Sequence, residues 1–292
     1  MTDTTVSVGD RAPQELKNPT KTRVDENFPV ASRLIPQRVR KHVHVFYLCA
    51  RAADDVADDP DLDPAEKTAL LAEMDEALAG KRARTPVTET CLDLIEILDG
   101  TGVTIDHARH LLQAFQMDVT KLRYRNWSEL INYCLYSAAP VGRFLLDVHG
   151  EDGAARPMTD ALCNALQILN HLQDCKNDYL ELDRVYIPQP WLREQGIDVE
   201  ALAADAASPA LRAVLDRVLD RTDEMIIAAR AAPGFIRDRG LRMETAVITA
   251  IAARLSAKLR RGDPVAVRVE LNKLEYLLCT ITGIARGVLA RR

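Results

Sequence analysis

Helical periodicity runs through nearly all of this chain, and it limits the available folds more than any other feature. Apolar residues recur three and four apart from Pro36 to Asp58, from Pro64 to Ala79, and over residues 86–98, 104–122, 127–149 and 158–182. The pattern resumes over 208–231, 238–261 and 264–289, with shorter helices expected within 190–204. Helix-stopping residues fall between these stretches: Asp59-Pro60, Gly80, Asp99-Gly100-Thr101-Gly102, Gly150 to Pro157, Pro233-Gly234 and Gly262-Asp263-Pro264. Val185-Tyr186-Ile187-Pro188 breaks out of the helical pattern, but no alternating strand of useful length, fixed-period repeat or low-complexity linker is present. The expectation is an all-α fold of roughly nine or ten helices in one domain, residues 26–292, preceded by a flexible arm, residues 1–25. Aromatic residues at 5%, with 13 Gly and 14 Pro, suit long helices better than a sheet with many turns.

Several function classes fall away on composition. A formal net charge of −5 provides no basic field, which argues against nucleic acid as a partner. The six cysteines lie far apart without a C-x-x-C pair, mostly within apolar helical patterns, so reduced thiols in a cytoplasmic compartment are expected. The first 20 residues lack the basic-then-apolar order of a signal peptide. No run of 18 uninterrupted apolar residues exists; Leu274 to Ala290 comes nearest, interrupted by Glu275 and Arg286, and reads as a buried core helix.

Chemistry is concentrated in two segments. In the first, Tyr47, Arg51, Asp54 and Asp58 recur at helical spacing near the end of one helix. Asp54 and Asp58, four apart, share a face and repel each other, and acids at a helix C-terminus oppose the macrodipole. A solvated acidic turn is the plain alternative, but acids placed where they destabilise the helix call for a cation. In the second segment Gln167, Asn170, Asp174 and Asp178 form a polar stripe at i, i+3, i+7 and i+11, flanked by Leu162, Leu166, Ile168, Leu169 and Leu172. A helix so apolar elsewhere is expected to be buried, so its polar stripe must line a cavity.

One such helix could belong to a polar network inside a bundle. Two helices, each with an Asp-x-x-x-Asp face, would bring four negative charges together if they faced each other. Divalent cations answer that charge, and all-oxygen ligands suit Mg²⁺, which takes one or two carboxylates with substrate phosphates. A diphosphate is the natural third party. No Gly-rich phosphate loop and no zinc or calcium pattern is present.

These residues resemble the squalene and phytoene synthase family, the head-to-head trans-isoprenyl diphosphate synthases. The resemblance rests on Tyr47-x-x-x-Arg51-x-x-Asp54-Asp55-x-x-Asp58 and on Gln167-x-x-Asn170-x-x-Gln173-Asp174-x-x-x-Asp178, followed by Arg184-Val185-Tyr186-Ile187-Pro188. Tyr133-Cys134 and Ala138-x-x-Val141-Gly142 look like the family's central helix. Glu26-Asn27-Phe28-Pro29-Val30-Ala31-Ser32 and Ser137-Ala138-Ala139-Pro140-Val141-Gly142-Arg143 are similar to the hydroxysqualene-forming branch of the bacterial hopanoid pathway. The resemblance implies an isoprenoid synthase-type bundle with a central cavity. It further implies Mg²⁺-dependent ionisation of presqualene diphosphate, rearrangement of the cation and capture of water, giving hydroxysqualene for another enzyme of the squalene pathway to reduce. The alternative is joining two prenyl diphosphates to presqualene diphosphate, squalene or phytoene. A lipid-like substrate also leaves peripheral membrane contact open.

By the same resemblance Asp54, Asp58, Asn170, Asp174 and Asp178 would hold the metal. Tyr47, Arg51, Arg184 and Tyr186 would meet the diphosphate, and Tyr133 and Gln167 would face the carbocation or leaving group. Asn27 would stand in for a serine, because Asp25-Glu26-Asn27-Phe28 occupies the place of the family's Ser-x-Ser-Phe-like motif. Ala253-Arg254-Leu255-Ser256 lacks a tyrosine expected in the penultimate helix. Both departures argue against simple phytoene synthesis. Plain readings stay open for some positions: Arg51 could pair with Asp55 within its helix, Tyr186 could be a core residue, Arg143 could be a surface charge, and His42, His44 and His171 could be surface or core.

Overall fold

The computed structural model describes residues 34–290, so the 1–25 arm and Asn27 lie outside the described residues. Within them the chain forms α1 (Gln37–Asp58), α2 (Pro64–Leu78), α3 (Glu89–Leu98) and α4 (Asp106–Thr120). Next come α5 (Trp127–Ser137), α6 (Ala139–Val148), α7 (Arg156–Leu182), α8 (Gln189–Glu194), α9 (Pro209–Ala229), α10 (Arg239–Leu259) and α11 (Lys273–Leu289). Local chemistry sets several boundaries. Asp63 caps α2 in a reciprocal capping box with Glu66, Asn126 accepts from the Glu129 N–H at the start of α5, and Asn272 and Glu275 box the start of α11.

Three sequence expectations need correction. The stretch 127–149 is two helices, broken at Ala138 (φ −129°), because Pro140 lacks an N–H and disfavours helical backbone before it. The stretch 264–289 is helical only from Lys273. Ahead of it, Pro264 and the β-branched Val265, Val267 and Val269 favour extended chain, and the Asp263 carboxylate accepts from the N–H groups of Ala207 (2.8 Å) and Val265 (2.9 Å). Finally, Val185–Pro188 forms a small parallel pair with Arg123–Tyr124, which we call β2 and β1.

Two large apolar cores result, beside a small cluster of Leu146, Ala155, Ile236 and Leu241. One gathers α1 to α4 with Phe144 of α6, whose ring stacks on Phe46 at 4.0 Å between centroids. The other surrounds α7, which packs against α5, α6, α9 and α10. Helices α6 and α7 approach closely because Gly142 has no side chain: a Cβ there would meet the Cys163 Sγ at 2.8 Å. Helices α1 and α7 belong to different cores and have no extensive contact with each other. The ends of the two motif helices are joined across the seam between the cores by Arg184, which follows α7 and reaches Asp58 of α1.

Helix α11 is not the buried core helix that its sequence suggests. Among the helices it packs extensively only on α10, through Gly283, Gly287, Cys279 and Glu275. Glu275 receives Lys258 Nζ at 2.7 Å and Arg254 Nε at 3.0 Å. Lys258, the Asn272 N–H and Arg254 hold its carboxyl down at about 2, below the usual value of about 4.3. The depressed value favours folding fully above the unfolded-state pKa, and that contribution fades as pH falls from there towards 2. Urea melts between pH 7 and pH 2.5 should show a smaller acid-induced loss of stability in Glu275→Gln than in wild type. Equal loss in both would show that this carboxylate is not part of the acid response.

Candidate active site

The site is assembled where α7 ends. Asp183 adopts a left-handed conformation (φ 51°), which Asp tolerates better than most side chains, and it is tied to Arg123 by an ion pair. That turn lets the Arg184 N–H donate to the Asp178 carbonyl at 2.9 Å, closing the helix end, before Val185 N–H bonds the Leu122 carbonyl at 3.0 Å. The Arg184 side chain is thereby sent back across the seam. It donates to the Asp58 carboxylate at 2.6 Å, the Ala57 carbonyl at 3.1 Å and the Asp118 carbonyl at 3.1 Å. One residue thus joins the end of the second acidic helix to the end of the first.

Burial opposes the Arg184 charge, but Tyr186, Asp58 and Asp118 outweigh it, so the guanidinium is held protonated more firmly than usual. Lys67 of α2 stands beside this group; burial and then Arg184 lower its pKa, partly offset by Asp58 and Asp59.

Beneath Arg184 lies Asp118, which is 5% exposed. Its two carboxylate oxygens accept from Tyr133 Oη and Tyr186 Oη, each at 2.8 Å. Burial raises the Asp118 pKa, while Arg184 and the two tyrosine hydroxyls pull it down. Burial, and next the Asp118 charge, push both tyrosines well above their ordinary value. The hydroxyls are therefore neutral donors. The His171 ring stacks on Tyr186 at 3.5 Å, and its Nε2 lies 3.2 Å from Gln167 Nε2. A small cavity here is walled by Ile168, Leu172 and Ile187 and edged by Asp178, Arg184 and Tyr186.

Each acid of the two motifs has a basic neighbour. Arg51 binds Asp54 at 2.5 Å and also binds Asp55, so the intrahelical pairing left open from sequence exists, extended to both acids. Burial lowers the Arg51 pKa, but Asp54 and Asp55 raise it further, with Tyr47 adding to their effect. Asp174 is ion-paired with Arg268, and Asp178 lies 3.9 Å from His171. Asn170 is half-buried on the same face, whereas Gln173 turns away to donate to the Val269 carbonyl at 2.7 Å.

The expected group of four uncompensated charges is thus not what the described residues show; guanidinium groups balance most of it. No three His, Cys, Asp or Glu side chains among them are placed to hold one ion. The donor set still fits Mg²⁺, which needs one or two carboxylates per ion, the remaining positions being filled by water and phosphate oxygens. Asp54 with Asp58, and Asp174 with Asp178 and Asn170, offer such sets on opposite sides of the seam.

Other candidates fall elsewhere. Tyr133 is buried with its hydroxyl committed to Asp118, so it meets the pocket as part of the Asp118 network and not as a free hydroxyl. Tyr186, left open as a core residue, belongs to the same network. Arg143 is paired with Asp160 at 2.7 Å. His42 Nδ1 lies 3.1 Å from the Arg38 carbonyl, one turn back in α1. Sequence reasoning missed Asp118, Lys67 and Arg268. A signal for Asp118 existed: it follows Leu111 and Ala114 at i+7 and i+4 on the apolar face of α4, where a lone carboxylate needs donors.

Together the helical bundle and its acidic seam define an isoprenoid synthase-type protein. The chain belongs to the squalene/phytoene synthase family, whose profile matches residues 21–275. It is 42% identical to a hydroxysqualene synthase of Rhodopseudomonas palustris, over 93% of this chain and 92% of that protein. It is 41% identical to a hydroxysqualene synthase of Zymomonas mobilis, over 88% and 86% respectively. The crystal structure of squalene synthase HpnC from Alicyclobacillus acidocaldarius superposes with a TM-score of 0.69 at 29% identity, covering 82% of this chain and 90% of that one.

Substitution of Asp118 by Asn leaves only one acceptor oxygen for two tyrosine donors. Asp118→Asn should lower stability by about 1–3 kcal/mol in urea melts, and Tyr133→Phe in that background should recover part of the loss. A fully additive double variant would contradict the shared network.

Proposed function

We propose that this protein is a hydroxysqualene synthase that ionises presqualene diphosphate and adds water. The observation that carries the reading is the Arg184 bridge, which brings the ends of two Asp-x-x-x-Asp helices to one seam, in a chain more than 40% identical to proteins of that name.

In the reaction, the carbon–oxygen bond to diphosphate breaks and both bonding electrons leave with the diphosphate. The cyclopropylcarbinyl cation rearranges, the oxygen of a water molecule bonds to the resulting allylic carbon, and the proton of that water is released. Mg²⁺, held by Asp54, Asp58, Asp174, Asp178 and Asn170, would supply Lewis-acid stabilisation of the departing diphosphate. The chain's own cations do the rest of that work. Arg51, with Tyr47 beside it, lies one turn before the acids, and its planar fork suits diphosphate oxygens. Arg184 and Lys67 add positive charge on the other side of Asp58. Balancing the acids with arginines in the absence of substrate makes the site exchangeable: when diphosphate arrives with its cations, Arg51 and Arg268 can move from carboxylate to phosphate while Arg184 keeps its backbone acceptors.

Tyr133 and Tyr186 form an aromatic wall, its hydroxyl protons directed at Asp118 and not at the cation, with the His171 ring stacked on Tyr186. Ring faces stabilise positive charge without offering a base that would end the reaction early by deprotonation. Water must be kept out until the last step, which the apolar walls Ile168, Leu172 and Ile187 serve.

Purified protein given presqualene diphosphate and Mg²⁺ should release hydroxysqualene, identified by mass spectrometry. Farnesyl diphosphate alone should give no C30 product. Asp54→Ala and Asp174→Ala should each reduce turnover at least a hundredfold with helical content unchanged. Consumption of farnesyl diphosphate in place of presqualene diphosphate would reassign the protein to head-to-head coupling, and near-wild-type rates in both variants would remove the metal role.

A further inference from the structure

Helix α11 is attached to the protein by its small side. At Gly283 and Gly287 a Cβ would come within 2.4 Å of Val247 Cα and 2.7 Å of Met243 Cα, so the helix backbones are almost in contact. The opposite face carries Leu274, Leu277, Leu278, Ile281, Val288 and Leu289, each between 47% and 76% exposed. These are six of the ten large exposed apolar side chains among the described residues, so the exposure is clustered and not scattered. At 100° per residue they fall within an arc of roughly 120°. An amphipathic helix of an isolated globular protein turns such an arc inward; here the arrangement is reversed.

The exposed charges of α10 and α11 have one sign. On α10 and α11 the acids are Glu244 and Glu275, which are 2% and 8% exposed. Every other charged residue of the two helices is basic: Arg239, Arg242, Arg254, Lys258, Lys273 and Arg286. Arg254 and Lys258 share the single carboxylate of Glu275, which leaves excess positive charge even there. Because α11 runs antiparallel to α10, with Gly287 beside Met243, Arg239 and Arg242 lie at the same end as Arg286. A chain of net charge −5 thus presents an apolar stripe bordered by cations.

We propose that this face lies on the surface of an anionic lipid bilayer, with its leucines and isoleucine at the boundary between headgroups and acyl chains and its basic residues on the headgroup phosphates. The helix would rest on the bilayer and not cross it, as no helix among the described residues is long and apolar enough to span a membrane. Charge complementarity selects this occupant. A second copy would set like-charged borders against each other across a two-fold contact. The segment 1–33 has few large apolar residues, and only one pair of them, Val24 and Phe28, stands four apart.

Co-sedimentation of the full chain with vesicles tests the proposal. Wild type should sediment with vesicles containing phosphatidylglycerol, should stay in solution with pure phosphatidylcholine, and should be released by 0.5 M salt (about a 4 Å screening length). The double variant Leu277→Glu/Ile281→Glu should lose at least tenfold in vesicle partitioning with an unchanged melting temperature, since both side chains are exposed. In Leu278→Trp, the emission added by the new indole should shift to the blue only when anionic vesicles are present. Failure of wild type to sediment, or sedimentation of the double variant as wild type, would overturn the proposal. So would emission already blue-shifted in dilute vesicle-free protein, which would mean that this chain covers its own face. A blue shift that appears with rising protein concentration alone would assign the face to a second copy instead.

Discussion

A guanidinium reaching across an open seam holds the functional half of this protein together. Arg184 leaves the end of α7 with its N–H on Asp178 and ends with its side chain on Asp58, Ala57 and Asp118. Helices α1 and α7 belong to separate apolar cores and are linked by packing through α4, α5 and α6, so Arg184 is a direct polar tie between their ends. The left-handed turn at Asp183 is what aims the side chain, and the ion pair of Asp183 with Arg123 steadies that turn. Lysine would supply the charge but not a rigid fork able to serve three acceptors at once.

The same interaction explains how a site rich in acids is kept stable without being spoiled for cations. A carboxylate left alone in a half-buried seam would be costly, and one committed to a permanent buried pair would be inert. Here Arg51 and Arg184 balance the acids from beneath and Arg268 from the more exposed side, and the side chains of Asp54 and Asp58 stay about one-third exposed. Asp118 plays the opposite part. It is buried, bound by two tyrosines, and serves to fix the wall and not to meet substrate.

Much of this was legible in the sequence because periodicity reports burial directly. The spacing of Tyr47, Arg51, Asp54 and Asp58, and the stripe from Gln167 to Asp178, placed both motifs on helices, each with its polar residues along one face. That the two stripes face each other was an inference about charge; what the structure shows is that Arg184 joins the two helix ends, a link that spacing alone did not disclose. Three things escaped. The balancing of Asp174 by Arg268 depends on a non-helical stretch that periodicity misread as helix. The Asp118 network joins residues 15 and 68 positions apart, a distance that no local pattern reports. The apolar stripe of α11 was visible, but sequence alone could not say which side of that helix faces the protein; the two glycines decide it.

The central claim is that acids from α1 and α7 serve one shared cation and diphosphate site. Calorimetric titration of inorganic diphosphate in the presence of Mg²⁺ tests it through a double-mutant cycle on Asp54→Asn and Asp174→Asn. A shared site predicts that each single variant loses most of the Mg²⁺-dependent affinity and that the double variant loses little more, giving a coupling energy well above the ~0.5 kcal/mol expected of independent positions. Losses that simply add would mean that the two acidic helices bind separately, and the account would be wrong at its base.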